Sequence, residues 1–139
     1  MAVYRDERSF RTRGENDMVD ITDIVNDVLK HSGLREGLVN IFIPGSTGAV
    51  TTIEYEPGLM KDLPIALERF APKNARYEHH LTWGDYNGHS HVRAAVIGPS
   101  LVVPFSQGRA VLGTWQQVVF IEMDVGSRSR RIVLTAIGE

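Results

Sequence analysis

The sequence predicts an α+β fold in which antiparallel strands predominate. Six or seven short runs rich in β-branched residues lie between turn residues, and two or three longer segments have helical periodicity. The two kinds of segment follow one another in mixed order, without the strand–helix alternation that builds parallel sheets. A phosphate loop of the type G-x-x-x-x-G-K is also absent. A chain of 139 residues is long enough for one compact domain, which we place at residues 1–139.

The first part of the chain predicts a strand, a helix and then two further strands. Tyr4–Arg13 alternates weakly and is rich in charge, which is typical of an exposed or edge strand. After Thr22 and Asp23, which are suited to capping a helix, apolar residues recur at helical spacing until Gly33 marks the end. Two β-rich runs follow, at Gly37–Ile43 and Ala49–Tyr55.

The second part of the chain predicts two helices and three strands. Leu59–Phe70 has one apolar face, and Pro64 within it indicates that the regular helix starts late, near that proline. Val92–Ile97 is consistent with a short helix, and Gln107-Gly108 is a plausible hairpin turn. The predicted strands are Leu101–Phe105, Val118–Met123 and Arg131–Ile137.

Composition narrows the classes of protein to which the chain can belong. With a net charge of −2, it has no electrostatic basis for binding nucleic acid. The absence of cysteine excludes disulfides, thiolate nucleophiles and zinc sites with cysteine ligands. The longest apolar runs, such as Val118–Ile121, are far too short to cross a bilayer, and no targeting segment is visible. We therefore expect a soluble cytoplasmic protein without nucleic-acid or membrane partners.

Four of the five histidines fall in fifteen residues, in the segment Y-E-H-H-L-T-W-G-D-Y-N-G-H-S-H. Neutral imidazole is a common metal ligand, and its charge changes near neutral pH. One interpretation is a divalent-metal or phosphate site that takes one or two histidines from each end of the segment. The other is a solvated loop whose imidazoles are incidental. The four residues are His79, His80, His89 and His91.

Three other places carry candidate binding residues. The turn with Ser46 and Thr47 offers amides and hydroxyls to an anion, although an ordinary tight turn explains it as well. Glu54, in a predicted strand, is either a general base or metal ligand or simply a solvated carboxylate. Trp115 can stack on a planar ring and Gln116 can bond a heterocycle, but the tryptophan is equally suited to a core or an interface.

An arginine cluster lies near the end of the chain. Arg128 and Arg130 are suited to bidentate phosphate binding, because the guanidinium presents a planar fork of donors. The alternative is that they are solvated or pair with the nearby Glu122 and Asp124. The sequence alone leaves both possibilities open.

The longer motifs resemble the YjbQ-like family. They read N-G-H-S-H-V-R-A-A-V-I-G-P-S, then V-P-F-x-x-G-R-A-x-L-G-T-W-Q-Q, then E-M-D, and the resemblance runs from about Tyr4 to Glu139. It implies a β-sandwich of mainly antiparallel strands with two or three flanking helices, assembled as a homotrimer. It also implies a secondary thiamine-phosphate synthase activity. That reaction joins hydroxymethylpyrimidine diphosphate to a thiazole phosphate and releases pyrophosphate.

The resemblance, taken with the candidates above, assigns roles to individual residues. Many relatives carry His-Thr-Thr where this chain has Gly45-Ser46-Thr47, which makes His89 the natural substitute for the missing histidine. The expected catalytic residues are His79, His91 and Glu54. The expected metal ligands are His79, His89 and His91. The expected substrate-binding residues are Ser46, Thr47, Asn87, Trp115, Gln116, Arg128 and Arg130.

These roles imply a small phosphorylated metabolite as substrate and a divalent cation such as Zn, Mn or Mg as cofactor. Two alternatives remain open. The protein is then either a trimeric metal- or ligand-binding protein without dedicated catalysis, or a metal-dependent hydrolase of phosphorylated metabolites that uses water at the same site.

Overall fold

The computed structural model describes residues 1–139 as eight strands and four helices. All strand pairs are antiparallel. The elements in chain order are β1 (Ala2–Arg11), β2 (Met18–Asp20), α1 (Thr22–Ser32), β3 (Glu36–Phe42), β4 (Gly48–Glu54), α2 (Pro57–Phe70), α3 (His79–Trp83), α4 (Gly88–Ile97), β5 (Ser100–Ser106), β6 (Arg109–Ala110), β7 (Gln116–Glu122) and β8 (Ser129–Gly138). The predicted α+β class is therefore confirmed.

Two sheets form a sandwich, with α1 packed against the core between them and α2 and α4 on the outer face of the smaller sheet. The larger sheet has the order β1-β8-β3-β5-β6, and the smaller has the order β2-β7-β4. The main core lies between them and combines residues such as Ile41 and Leu134 of the larger sheet with Phe120 of the smaller sheet and Leu29 of α1. The other face of the smaller sheet packs against α2 and α4 in a second buried cluster. As expected, β1 is an edge strand.

Helix α2 begins earlier than the sequence predicts. The expectation that it starts near Pro64 is wrong, because Pro64 lies inside a helix that begins at Pro57. The carboxylate of Glu56 caps this start by accepting hydrogen bonds from the N–H groups of Gly58 and Leu59, at 2.8 and 2.6 Å. A proline at the first helical position needs no donor of its own, so the cap and Pro57 together fix the beginning of the helix.

The histidine segment is helical rather than irregular. It contains α3 and the start of α4, so α4 begins at Gly88 and not at the predicted Val92. Gly84 ends α3 in the left-handed conformation, with φ 69°. Gly88 packs against Tyr77, since a Cβ at position 88 would lie 2.6 Å from the Tyr77 Cβ. These two glycines break the apolar period, and the segment raises the number of helices to four.

The predicted hairpin turn at Gln107-Gly108 is confirmed. Both residues have positive φ, 52° and 77°, and they join β5 to the two-residue strand β6. This is the backbone of a type I′ turn, which suits the twist of a hairpin.

No helix of the protein combines the length and the apolar character needed to span a membrane.

Candidate functional site

Strands β4 and β7 separate the candidate residues into two groups. The strands pair along their whole length, with Gly48 opposite Glu122 at one end and Glu54 opposite Gln116 at the other. Seven residues of strand span about 20 Å, so the two groups lie far apart within one chain. We call the first group the histidine end and define it as Thr47, His79, His91, Asp124 and Arg128. We call the second group the tryptophan end and define it as Glu54, Trp115 and Gln116.

His79 and His91 come together although α3 and α4 carry them separately. Their ring centroids are 4.4 Å apart, and Nδ1 of His79 lies 3.6 Å from a carboxylate oxygen of Asp85. Burial lowers the pKa of His91 below its ordinary value and the neighbouring His79 lowers it further, against the opposing effect of Asp124 and Asp85. His91 is therefore neutral at pH 7 and keeps a nitrogen lone pair for a ligand.

Asp124, just beyond the end of β7, organises the polar groups around this pair. It accepts hydrogen bonds from the Thr47 hydroxyl at 3.0 Å and the Asn87 amide at 3.4 Å, and it forms an ion pair with Arg128. The Asn87 amide can instead turn and donate to Asp85 at 3.0 Å. Burial alone would raise the pKa of Asp124, but these hydrogen bonds and one from a backbone N–H hold it below its ordinary value. Asp124 therefore stays ionised at neutral pH.

The two arginines of the cluster have different roles. Arg130 is buried and donates to both carboxylate oxygens of Glu122, to the Thr47 hydroxyl at 3.0 Å and to the Thr47 carbonyl at 3.2 Å. Its guanidinium is thus occupied within the fold, and it positions the turn before β4. Arg128 is 53% exposed and binds only Asp124 through its side chain. Arg128 is therefore the arginine that can reach a ligand.

A cleft of about 280 Å³ opens beside the imidazole of His91. The turn Gly45–Ser46 and the start of β4 form one wall, and α4 forms the other, through Ala94 and Ala95. The walls are small side chains, so the cleft is apolar apart from His91 and Ser46. A planar or phosphorylated small molecule fits a concave site of this kind, with polar groups at one side.

His89 lies away from the other two histidines of the expected metal set. Residues two apart on a helix point in different directions, and His89 is fully buried with Nε2 2.5 Å from a carboxylate oxygen of Glu15. Glu15 also pairs with Lys73, at 2.9 Å. The structure therefore places His89 in a buried polar cluster that ties α4 to the loop after β1. His80 likewise faces Tyr86 and not the His79–His91 pair.

The side chains of the histidine end provide an incomplete set of metal ligands. No group of three or more histidine, aspartate or glutamate side chains is arranged to hold a metal ion. His79 and His91 provide two nitrogen ligands, whereas Asp124 is engaged by three neighbouring side chains. A divalent ion would fit here only if a bound ligand supplied further oxygens, which is how Mg²⁺ and similar ions are commonly held beside phosphates.

The tryptophan end is a separate, open cleft of about 360 Å³. Trp115 is 73% exposed. Both polar ends of the Gln116 amide are occupied, since its oxygen accepts from the Gly113 N–H at 3.0 Å and its nitrogen donates to the Thr52 hydroxyl at 3.0 Å. Gln116 therefore fixes the loop that presents Trp115, and the carboxylate of Glu54 stands exposed beside it.

Sequence reasoning undervalued Asp124, which it considered only as a partner of the arginines. The signal was the run E-M-D at the end of an apolar strand, where two acids enter a buried environment together. A buried carboxylate needs hydrogen-bond donors, so such a pair predicts a polar cluster around it.

Comparisons with known proteins match the chain along almost its entire length. The family model described as UPF0047 protein YjbQ-like matches residues 6–139. A UPF0047 protein of Methanothermobacter thermautotrophicus is 40% identical over 139 residues, which are 100% of this chain and 95% of the relative. A second, from Archaeoglobus fulgidus, is 35% identical over 94% of this chain and 99% of its own.

Solved structures agree with this assignment. A YbjQ-like protein of unknown function from Sulfolobus solfataricus superposes with a TM-score of 0.92, at 33% identity over 99% of each chain. A hypothetical protein of Aeropyrum pernix gives a TM-score of 0.85, at 34% identity over 96% of this chain and 99% of its own. The chain belongs to the UPF0047 family of YjbQ-like proteins.

Proposed function

We propose that the histidine end binds a small phosphorylated metabolite and that the reaction carried out there is thiamine-phosphate synthesis. One arrangement of residues supports this proposal. His91 and a glycine–serine turn line a cleft of about 280 Å³, His79 lies against His91, and the exposed guanidinium of Arg128 pairs with Asp124 nearby. A guanidinium near an apolar cleft suits a ligand that has a diphosphate and a planar ring.

In this reaction the bond between the pyrimidinyl methylene carbon and the diphosphate oxygen breaks, and the thiazole nitrogen bonds to that carbon. The electron pair of the broken bond leaves with pyrophosphate, so negative charge grows on the leaving group. Arg128, held in place by Asp124, would donate to these oxygens, and the Gly45–Ser46 turn lines the cleft. The neutral imidazole of His91 lines the cleft and has a nitrogen lone pair for a cation that would neutralise this charge.

A divalent cation completes the proposal. His79 and His91 would hold it jointly with diphosphate oxygens, and when bound it would neutralise charge on the leaving group. Because the two imidazoles alone make a poor site, we expect the metal and the phosphorylated ligand to bind together. Mn²⁺ should therefore bind weakly to the protein alone and more tightly when pyrophosphate is present.

The test is a synthase assay with Mn²⁺ and both substrates, comparing the wild type with His91→Ala and the control His31→Ala. His31 lies near the end of α1 and is 59% exposed. The proposal predicts that His91→Ala loses at least ~100-fold in rate, the usual effect of removing a group that stabilises charge in the transition state, while His31→Ala retains the wild-type rate. Equal rates for the two variants would contradict it. Loss of the diphosphate substrate without the thiazole would identify a hydrolase instead.

The second candidate is a homotrimeric binding protein without dedicated catalysis. It is favoured by the outer face of the larger sheet, where Leu38, Val102 and Ile137 are exposed at 53%, 55% and 46%. Contiguous apolar surface of this kind is typical of protein–protein interfaces. Light scattering of the purified chain gives the number of copies. Turnover below the ~1 per second typical of dedicated enzymes would favour this candidate.

A further inference from the structure

The two ends of the β4–β7 pair are each incomplete within one chain. The histidine end has two imidazoles, one exposed guanidinium, and an apolar cleft that no phenylalanine, tyrosine or tryptophan of its own lines. The tryptophan end has an exposed indole and an exposed carboxylate. We infer that two copies of the chain share one site, in which Trp115 and Glu54 of one copy dock on the histidine end of another.

The loop that carries Trp115 is built to present the indole. The Gln116 side chain bridges Gly113 and Thr52, which ties the loop to β4 and restricts its motion. The indole is nevertheless 73% exposed. Tryptophan is enriched among the residues that dominate binding energy at interfaces, because burying its large surface excludes much water. A rigid loop with an unburied indole is therefore typical of a contact residue.

The cleft of the histidine end has the shape and chemistry to receive this side chain. Its volume is about 280 Å³, and Gly45, Gly48, Ala94 and Pro99 leave its walls smooth and apolar. The neighbouring face of α4 adds exposed Val96 at 60%. An indole seated on the Ala94–Pro99 side would close the cleft there and leave the His91 side open to a ligand.

Charge complementarity supports the same pairing. Glu54 is exposed and forms no ion pair within its own chain, whereas Arg128 is 53% exposed and uses one of its donor nitrogens on Asp124. A guanidinium has five N–H donors, so Arg128 can bind Glu54 of another copy as well as Asp124. The partner's carboxylate would stand near His79 and His91, where it would add a second acidic group to Asp124, which three side chains already engage.

This contact must be made between copies, because about 20 Å of strand separates the two ends in one chain. It joins two different surfaces, so each copy offers one end and receives the other. Such head-to-tail contacts generate closed rings or open filaments. The identity of the ligand at the shared site rests on the proposed function, whereas the contact between the two copies is inferred independently of it.

The absence of cysteine from the chain allows a clean cross-linking test. Glu54→Cys and Arg128→Cys variants are mixed, allowed to exchange subunits and oxidised. The inference predicts a product of twice the 15.5 kDa chain mass in the mixture and none with either variant alone. Thr114→Cys with Ser46→Cys, both at exposed cleft positions, repeats the test with Arg128 intact. The control mixes Glu54→Cys with Arg69→Cys, an exposed position on α2, and should give no cross-linked product.

The inference would be overturned if neither designed pair cross-linked more than the control. It would also be overturned if Glu54→Cys cross-linked with itself. Mixing Trp115→Ala with His91→Ala gives a second readout, since mixed oligomers contain some sites with both residues intact. We expect each variant alone to be inactive and the mixture to recover part of the wild-type synthase rate. Cross-linking without activity in the wild type would refute the proposed function but leave the shared contact standing.

Discussion

The histidine end and the tryptophan end lie at opposite ends of the same two strands, and their carboxylates have opposite environments. At the histidine end, Asp124 is buried and, like the neighbouring Glu122, accepts hydrogen bonds from several donors within the chain. At the tryptophan end, Glu54 is exposed and Trp115 has most of its surface in water. The comparison indicates that folding organises the charged groups of the first end, whereas Trp115 and Glu54 of the second end stay exposed in the chain.

The largest effect on stability should come from breaking the buried ion pair behind the histidine end. Arg130→Met leaves Glu122 buried without its guanidinium, which should cost about 3–5 kcal/mol in the free energy of unfolding. The adjacent Arg131→Met is a matched control, because Arg131 pairs with Glu7 at the surface and such pairs contribute about 0–1 kcal/mol. Urea unfolding measures both. Similar losses of unfolding free energy in the two variants would show that the buried ion pair contributes no more than the exposed one.

The next effect concerns Asp124 and depends on pH. Its pKa in the folded protein lies below its ordinary value, so the ionised carboxylate stabilises the fold above the unfolded-state pKa, and that contribution is lost as pH falls through the folded pKa. Asp124→Asn should cost about 2 kcal/mol at neutral pH, because it weakens hydrogen bonds to a charged acceptor. The difference from wild type should shrink on acidification. A constant difference across that range would show that ionisation of Asp124 is not the source.

A smaller effect is expected on ligand affinity, through His91. Its pKa in the free protein is lowered, and a bound phosphate favours the charged imidazole, so the pKa should rise on binding. Each unit of that rise strengthens binding about tenfold as the pH falls between the two pKa values. NMR titration of the imidazole, with and without pyrophosphate and without added metal, measures both pKa values. An unchanged His91 pKa would place the phosphate elsewhere.

The smallest effect on stability should come from the tryptophan end. Trp115→Ala should change the free energy of unfolding of the separate chain by less than about 0.5 kcal/mol, since an exposed side chain makes few contacts there. The same substitution should abolish cross-linking between Thr114→Cys and Ser46→Cys. Thr114→Ala, at the neighbouring exposed position, is the control for stability. A large loss of stability from Trp115→Ala would mean that the indole belongs to the fold and not to a contact.

Much of the fold followed from periodicity, and the exceptions have local causes. Strands β2 and β6 have only three and two residues, too few for a pattern, and their pairing with longer strands defines them. Helix α3 and the first turn of α4 are not predicted, because Gly84 and Gly88 interrupt the apolar spacing, whereas the rest of α4 is predicted as Val92–Ile97.

The sequence predicts the candidate site only in part. The meeting of His79 and His91 is compatible with a set that takes one histidine from each end of the segment. Which histidine of each pair faces inward depended on α4 starting at Gly88, a feature that the sequence left open. The separation of Trp115 from the histidines depends on the register of β4 against β7, and a single sequence does not fix long-range register.

The measurement that tests the central claim most directly is calorimetric titration with inorganic pyrophosphate and Mn²⁺. It compares the wild type with His91→Ala and His31→Ala. The account predicts that pyrophosphate binds the wild type and His31→Ala alike, more tightly with Mn²⁺ than without it, and that His91→Ala loses at least ~1.4 kcal/mol, a factor of ten. Binding of equal strength in all three proteins, or no binding to the wild type, would contradict a phosphorylated ligand at the histidine end.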